Sequence, residues 1–111
     1  MDCIRNMYDC KYHRLINDIS MEELNYIVEH IDNVILIDIR DQEEFVTWHL
    51  QEAINIPLHE LDQVVSKIIQ DKNATIIVYC SSGMKSATAV YILDRLGYKN
   101  LYHLEGGLEK V

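Results

Sequence analysis

Apolar residues along this chain follow two rhythms that take turns. Leu24, Ile27, Val28 and Ile31 recur at helical spacing and form an apolar stripe. Just ahead of them Ser20-Met21-Glu22-Glu23 reads as a capping box, in which Ser20 caps the helix and Glu23 reaches back. Val34-Ile35-Leu36-Ile37 is an unbroken apolar run, as expected of a strand buried on both faces. Asp41 through Phe45 restarts a short helix, with Asp41 as cap and Glu44 three residues on. Ala53 to Ile56 is a second short strand, stopped by Pro57. Leu61, Val64, Val65, Ile68 and Ile69 make another helical stripe, which Asp71-Lys72-Asn73 breaks. Thr75-Ile76-Ile77-Val78-Tyr79 is the strongest strand in the chain. Lys85 to Leu96 is a helix with Gly97 at its C-terminal cap. It is apolar over much of its circumference, which predicts burial on more than one side. Leu101 to Leu104 is a last strand, followed by Gly106-Gly107 and by Leu108 to Val111, which can begin a helix. Ahead of all this, Tyr12 to Ile16 reads as a short edge strand and residues 1 to about 11 as a tail.

Strands that alternate with helices predict an α/β fold. The expected architecture is one domain over residues 12–111, with a central, mostly parallel sheet of about five strands flanked by helices on both faces. A chain of 111 residues is long enough to bury one core without staples. A hydrophobic fraction of 49% and a charged fraction of 25% suit a globular protein and leave no stretch apolar enough to span a bilayer. The opening MDCIRNMYDCKYHR has no signal-peptide core, so the expected location is cytoplasmic, with no membrane association. The formal net charge of −8 disfavours nucleic acid as a partner, and an anion site would need its own local positive field.

Three cysteines, Cys3, Cys10 and Cys80, are too few and too scattered for a disulfide framework. Cys3, Cys10 and His13 match no standard zinc spacing, nor do His30, His59 and His103, which read as surface residues. The chain is thus expected to use no metal and no cofactor.

In a parallel sheet the reactive site lies beyond the carboxyl ends of the strands. That directs attention to Tyr79-Cys80-Ser81-Ser82-Gly83-Met84-Lys85-Ser86, between the strongest strand and the longest helix. Small residues let this loop curl, and Gly83 permits angles that other residues resist. A curled loop ahead of a helix points backbone N–H groups inward, and the helix dipole adds positive charge. Both favour thiolate over thiol at Cys80, at the mouth of the loop, and would hold the terminal sulfur of a persulfide as an anion. Ser81, Ser82, Gly83, Met84 and Lys85 supply the cradle, and the ammonium of Lys85 can attract an anionic donor. Ser82 or Ser86 is the expected helix cap. A lone cysteine after a strand is more often a buried hydrophobe, but here strand, small-residue loop, glycine, basic residue and helix occur in the required order.

The loop Cys80-Ser81-Ser82-Gly83-Met84-Lys85-Ser86 resembles the active loop of the rhodanese-like family. Two further stretches resemble that family's signatures. One is Asp38-Ile39-Arg40, Glu44-Phe45, His49-Leu50, Ala53 and Asn55-Ile56-Pro57; the other is Gly97-Tyr98, Leu101-Tyr102, Leu104 and Glu105-Gly106-Gly107. Together they cover residues 16 to 111. The resemblance implies sulfane transfer by two displacements, with Cys80 taking sulfur from a small anionic donor such as thiosulfate or a persulfide. The acceptor would be a thiol, cyanide or a sulfur-relay protein. A non-enzymatic sulfur carrier or regulatory binding module needs the same loop and stays open as an alternative. Cell-cycle phosphatases and arsenate reductases have a related fold with a loop one residue longer. Lys85, five positions after Cys80, matches the shorter loop, and lysine lacks arginine's planar fork.

The resemblance also suggests that Asp38 braces the active loop by accepting backbone hydrogen bonds. Arg40 is expected to pair with Glu44 four residues on. His49 is expected to make a structural hydrogen bond, and Glu105 is a candidate for the rim. Tyr79, Tyr91, Tyr98 and Tyr102 fit core-edge positions. Trp48 and Glu52 stand where the family usually has glycine, a departure that reads as local repacking of a surface loop.

Overall fold

The computed structural model describes residues 17–110. Five strands form one sheet: β1 (Asp18–Ile19), β2 (Val34–Asp38), β3 (Ile54–Asn55), β4 (Thr75–Tyr79) and β5 (Asn100–Leu104). Their order is β1-β5-β4-β2-β3, and every neighbouring pair is parallel. Four helices, α1 (Met21–His30), α2 (Gln42–Thr47), α3 (Leu61–Ile68) and α4 (Met84–Arg95), connect them, with 3-10 turns at Leu58–Glu60 and Gly107–Lys110. The expected α/β architecture is therefore present, and the sheet among the described residues is wholly parallel. No helix among these residues is long and apolar enough to cross a membrane.

β4 sits at the centre because its side chains suit both faces. Ile76 and Val78 pack with Leu61 and Val65 of α3 and Val90 and Leu93 of α4. Ile77 and Tyr79 point the other way, into a cluster with Leu24 of α1, Leu36 and Leu104. This period-two partition between buried layers is what a continuous apolar strand predicts. β2 pairs with β4 so that Asp38 lies opposite Tyr79. Both strands thus end at one level, which brings the chain after Asp38 beside the chain after Tyr79.

Several expectations change on contact with the structure. The capping box is present in full: Glu23 N donates to Ser20 Oγ at 3.1 Å and Ser20 N to Glu23 Oε1 at 2.8 Å. Asp41 precedes α2 as expected, but its side chain makes no capping bond. Instead its carbonyl accepts from Glu44 and Phe45. α4 buries one face only, through Ser86, Ala89, Val90 and Leu93, while Met84 and Tyr91 are exposed. The spacing of those four residues is one helical stripe, so the remaining apolar side chains widen it without burying a second side. Tyr79 and Tyr98 belong to the core rather than its edge, and the hydroxyl of Tyr98 donates to the Ile69 carbonyl. The strand expected at Tyr12 to Ile16, the boundary of the tail, and Cys3, Cys10 and His13 lie outside the described residues. The first described strand, β1, is one the sequence pattern does not announce.

Glu52 has φ of +72°, the left-handed region. It sits in a turn closed by Ala53 N donating to Leu50 O at 3.1 Å. The departure from glycine at this position therefore carries backbone strain and is more than surface repacking. Left-handed geometry costs a non-glycine residue roughly 1–2 kcal/mol, part of which glycine returns through its looser unfolded chain. Glu52→Gly is expected to raise stability by about 0.5–1 kcal/mol, read as a higher urea midpoint at unchanged slope. An unchanged or lower midpoint would show that the turn is unstrained.

Candidate active site

Cys80 follows β4 directly and continues its alternation, so its side chain enters the layer between the sheet and α4. The residue is 2% exposed. The sulfur thus sits at the floor of the loop, not at its mouth as the sequence suggested. It does have the expected kind of partner: the Gly83 amide donates to Cys80 Sγ at 3.0 Å. Gly83 has φ of +94°, and a Cβ there would lie 2.9 Å from the Gly106 nitrogen. Only glycine can turn the chain here and let the closing Gly106-Gly107 segment approach.

That closing segment clasps the loop from outside. Leu108 N donates to Cys80 O at 3.0 Å, and Glu109 N to Ser81 O at 2.9 Å. A trans peptide aims its N–H opposite to its carbonyl, and the described chain contains no cis bond. Pulling the carbonyls of Cys80 and Ser81 toward residues 108 and 109 therefore turns the amides of Ser81 and Ser82 the opposite way. Ser82, Met84 and Lys85 are exposed.

The expected serine cap takes another form. Gly83 is the residue flanking α4 and makes no side-chain cap. Ser82 Oγ accepts from Met84 N only at 3.5 Å, the limit of a hydrogen bond. Ser86 Oγ donates back to the Gly83 carbonyl at 3.0 Å.

Asp38 and Arg40 meet each other rather than the partners expected of them. Asp38, fully buried, accepts from the Arg40 backbone amide at 2.9 Å and from Arg40 Nη2 at 2.8 Å. It takes no amide of the 80–86 loop. Its link to that loop runs through the strand register, in which Asp38 lies opposite Tyr79, whose phenol accepts from Leu50 N at 3.0 Å. Burial pushes the Tyr79 phenol far above its usual range, with the nearby Asp38 carboxylate adding to the rise. Hydrogen bonding to Asp38 likewise raises Arg40, burial opposing. Arg40 also donates to the Trp48 carbonyl at 2.6 Å, while the Trp48 ring is exposed. Glu44, expected on Arg40, instead accepts from Ser81 Oγ at 3.4 Å. α2 begins only at Gln42, so Arg40 and Glu44 do not share a helix face. His49 Nδ1 donates to the Phe45 carbonyl at 2.9 Å, a local structural bond as expected.

His103 is a further correction. It is 6% exposed, not a surface residue, and its ring joins Ser86 Oγ at 2.9 Å and Asp18 Oδ1 at 2.5 Å. The available signal was position: His103 shares the face of β5 with Leu101, two residues earlier, so one strand face carries both. The backbone clasp of residues 107–109 has no side-chain signature beyond its glycine pair. Among the described residues, no three His, Cys, Asp or Glu side chains gather to hold a metal ion. A cleft of about 790 Å³ lies elsewhere, between α1 and the β2–β3 side of the sheet, and includes no residue of the loop.

The rhodanese-like domain family model matches residues 20–111. The chain belongs to the rhodanese-like domain family. It is similar to thiosulfate sulfurtransferase PspE of Escherichia coli (strain K12), 40% identical over 75 residues, which cover 68% of this chain and 71% of that protein. A crystal structure of a rhodanese-related protein from Thermoplasma volcanium matches the fold with a TM-score of 0.72 at 29% identity, covering 85% of this chain and 88% of the other. The tRNA uridine(34) hydroxylase of Buchnera aphidicola subsp. Baizongia pistaciae (strain Bp) is 31% identical over 96 residues, 83% of this chain. That match is 30% of the hydroxylase, so this rhodanese-like chain spans under a third of its length.

Proposed function

We propose that the protein is a sulfurtransferase that carries sulfane sulfur as a persulfide on Cys80. In the first displacement the Cys80 thiolate attacks the outer sulfur of thiosulfate. The new S–S bond takes its electron pair from Cys80, and the old S–S bond breaks with its pair leaving as sulfite. In the second, cyanide or a thiolate attacks the terminal sulfur, and Cys80 leaves as thiolate. Donor and acceptor balance each other's electrons, so no outside oxidant or reductant is required.

One observation carries this reading: the Gly83 amide directed at Cys80 Sγ, in a loop whose preceding carbonyls are tied outward. Amides converging on a small space favour an anionic sulfur without needing a fixed side-chain charge. Lys85 at the exposed rim supplies attraction for an anionic donor in a chain of net charge −8. Asp38, Arg40 and Tyr79 hold the base of the loop, while Glu44 and Ser86 hold its outer parts. The similarity to a thiosulfate sulfurtransferase supports the donor class. Hydroxylation of tRNA is a poorer fit: so acidic a chain offers RNA phosphates little, and the hydroxylases are far longer.

The test is intact-mass measurement after exposure to thiosulfate, comparing the protein with Cys80→Ser. The expected result is gain of one sulfur atom by the first and none by the second. Sulfur gained equally by both would remove Cys80 from the mechanism. The burial of Cys80 favours a second reading, a carrier that releases sulfur only to a docked partner. Under that reading the persulfide forms but cyanide does not turn it over, and steady thiocyanate production would rule it out.

A further inference from the structure

The geometry points to a positioning relay in which His103, on β5 beside Asp18, holds Ser86 and through it the Gly83 carbonyl, and so fixes the amide facing Cys80. The inference rests on the sulfur-transfer reading for its purpose, though not for its geometry.

Three contacts form the relay. Ser86 Oγ donates to Gly83 O at 3.0 Å and meets His103 Nδ1 at 2.9 Å, and His103 Nε2 meets Asp18 Oδ1 at 2.5 Å. A carbonyl only accepts, so the single hydroxyl hydrogen of Ser86 is committed to Gly83. His103 Nδ1 must then carry a hydrogen and donate to Ser86. Nε2 faces a carboxylate, so a hydrogen lies between those atoms as well. All three contacts close together when Nδ1 carries a hydrogen and a further hydrogen is shared between Nε2 and Asp18 Oδ1. The backbone makes this arrangement natural. Asp18 is the register partner of His103 across the β1–β5 pair, and Ser86 lies in the first turn of α4 above them.

Serine, imidazole and carboxylate also make up a hydrolase triad, but this set cannot act as one. Ser86 is fully buried, and its hydrogen is already spent on a backbone carbonyl. What the relay reaches instead is the most permissive residue of the active loop. Gly83 has no side chain to limit its backbone, so its angles must be set by its partners. Its amide is on Cys80 Sγ and its carbonyl is on Ser86. Because that peptide is trans, a carbonyl fixed toward Ser86 aims the Met84 amide the other way. Ser86 and His103 are therefore positioning residues: they touch no reacting atom and act through Gly83.

Two substitutions at one site separate the links. His103→Asn keeps a nitrogen donor where Nδ1 sits, and so keeps the bond to Ser86. His103→Gln keeps a polar atom where Nε2 sits, and so keeps Asp18 but loses Ser86. The readouts are hydrogen exchange of the Gly83 amide by NMR, referenced to the Val78 amide in the core, and the rate of sulfur uptake from thiosulfate. In His103→Gln and Ser86→Ala the Gly83 amide is expected to exchange about fivefold faster, the size of one lost hydrogen bond, with uptake slowed in parallel. His103→Asn is expected to stay within about twofold of the natural protein on both readouts. If Ser86→Ala fails to fold, the Asn and Gln pair decides. Equal Gly83 protection in all variants, or Asn failing alongside Gln, would overturn the relay. Gly83 exchange following the relay in a protein that takes no sulfur from thiosulfate would support the relay and count against the sulfur-transfer reading alone.

Discussion

Gly107→Ala is expected to silence sulfur uptake without touching Cys80, Lys85 or any polar side chain. A Cβ at position 107 would lie 2.5 Å from both the Cys80 and Ser81 carbonyl oxygens and 2.6 Å from the Ser81 carbonyl carbon. All three are backbone atoms of the loop that begins at Cys80, so no rotamer change relieves the overlap. Either the loop or the closing turn must move. Moving either one breaks the bonds from Leu108 N to Cys80 O and from Glu109 N to Ser81 O. With the carbonyls released, the amides of Ser81 and Ser82 lose the constraint that turns them inward. Gly107 also has φ of +63°, where alanine adds roughly 1–2 kcal/mol of backbone strain. The combined loss should be about 3 kcal/mol of stability, in the range of buried overpacking. Sulfur uptake per folded molecule should fall at least about tenfold, since misplaced anion-stabilising donors cost that much or more. Urea denaturation gives the first quantity and the rate of persulfide formation the second. A folded Gly107→Ala protein that gains sulfur at the natural rate would show that the clasp does not shape the loop.

The contrast between what the sequence pattern reveals and what it hides has a physical basis. β2 and β4 are legible because a strand covered on both faces has to be apolar at every position, and Val34 to Ile37 and Thr75 to Tyr79 are nearly so. The site's location follows from those strands, since both end at the same level and the loop begins where β4 stops. The loop itself is legible through its order of cysteine, small residues, glycine and lysine. Its support is not. The clasp of residues 107–109 uses backbone atoms alone, and hydrogen bonds from main-chain amides leave no mark on residue identity. Arg40 and Glu44 have the spacing of a helical pair, but that rule holds only within a helix, and Arg40 lies ahead of α2. His103 reads as surface when judged by composition. It is buried because β1 places Asp18 beside it, and β1 is too short to carry a periodic signal. Local pattern thus reports elements and loop chemistry, while partners brought together by parallel pairing across long sequence separations need the sheet itself.

A large loss of stability is expected from Asp38→Ala. Asp38 is completely buried at the end of β2, and the side chain of Arg40 beside it is 11% exposed. The carboxylate accepts from Arg40 Nε and Nη2 and from the Arg40 amide. Asp38 lies opposite Tyr79, the residue immediately before Cys80, in the β2–β4 register. Truncation leaves a nearly buried guanidinium with the Trp48 carbonyl, the face of the Tyr79 ring 6.0 Å away and the more distant charge of Glu44 as favourable neighbours. Removing one partner of a buried ion pair typically costs about 3–5 kcal/mol, most of it the penalty of the charge left behind. The residual exposure of Arg40 lets water share that charge, so the lower end, about 3 kcal/mol, is expected. A double-mutant cycle separates this from lost packing. Asp38→Ala with Arg40→Leu removes both charges and should recover more than half of the single-variant loss, whereas two independent contacts would give additive losses. The same cycle bears on activity: the Ile39 amide donates to the Tyr79 carbonyl at 3.1 Å, so the Asp38 network and β4 share the last rung before Cys80. Sulfur uptake should therefore fall in Asp38→Ala even where the protein is fully folded, and recover only in part in the double variant. A loss below about 1 kcal/mol, or strict additivity, would mean that Arg40 finds solvent freely and that the pair does not anchor the base of the loop.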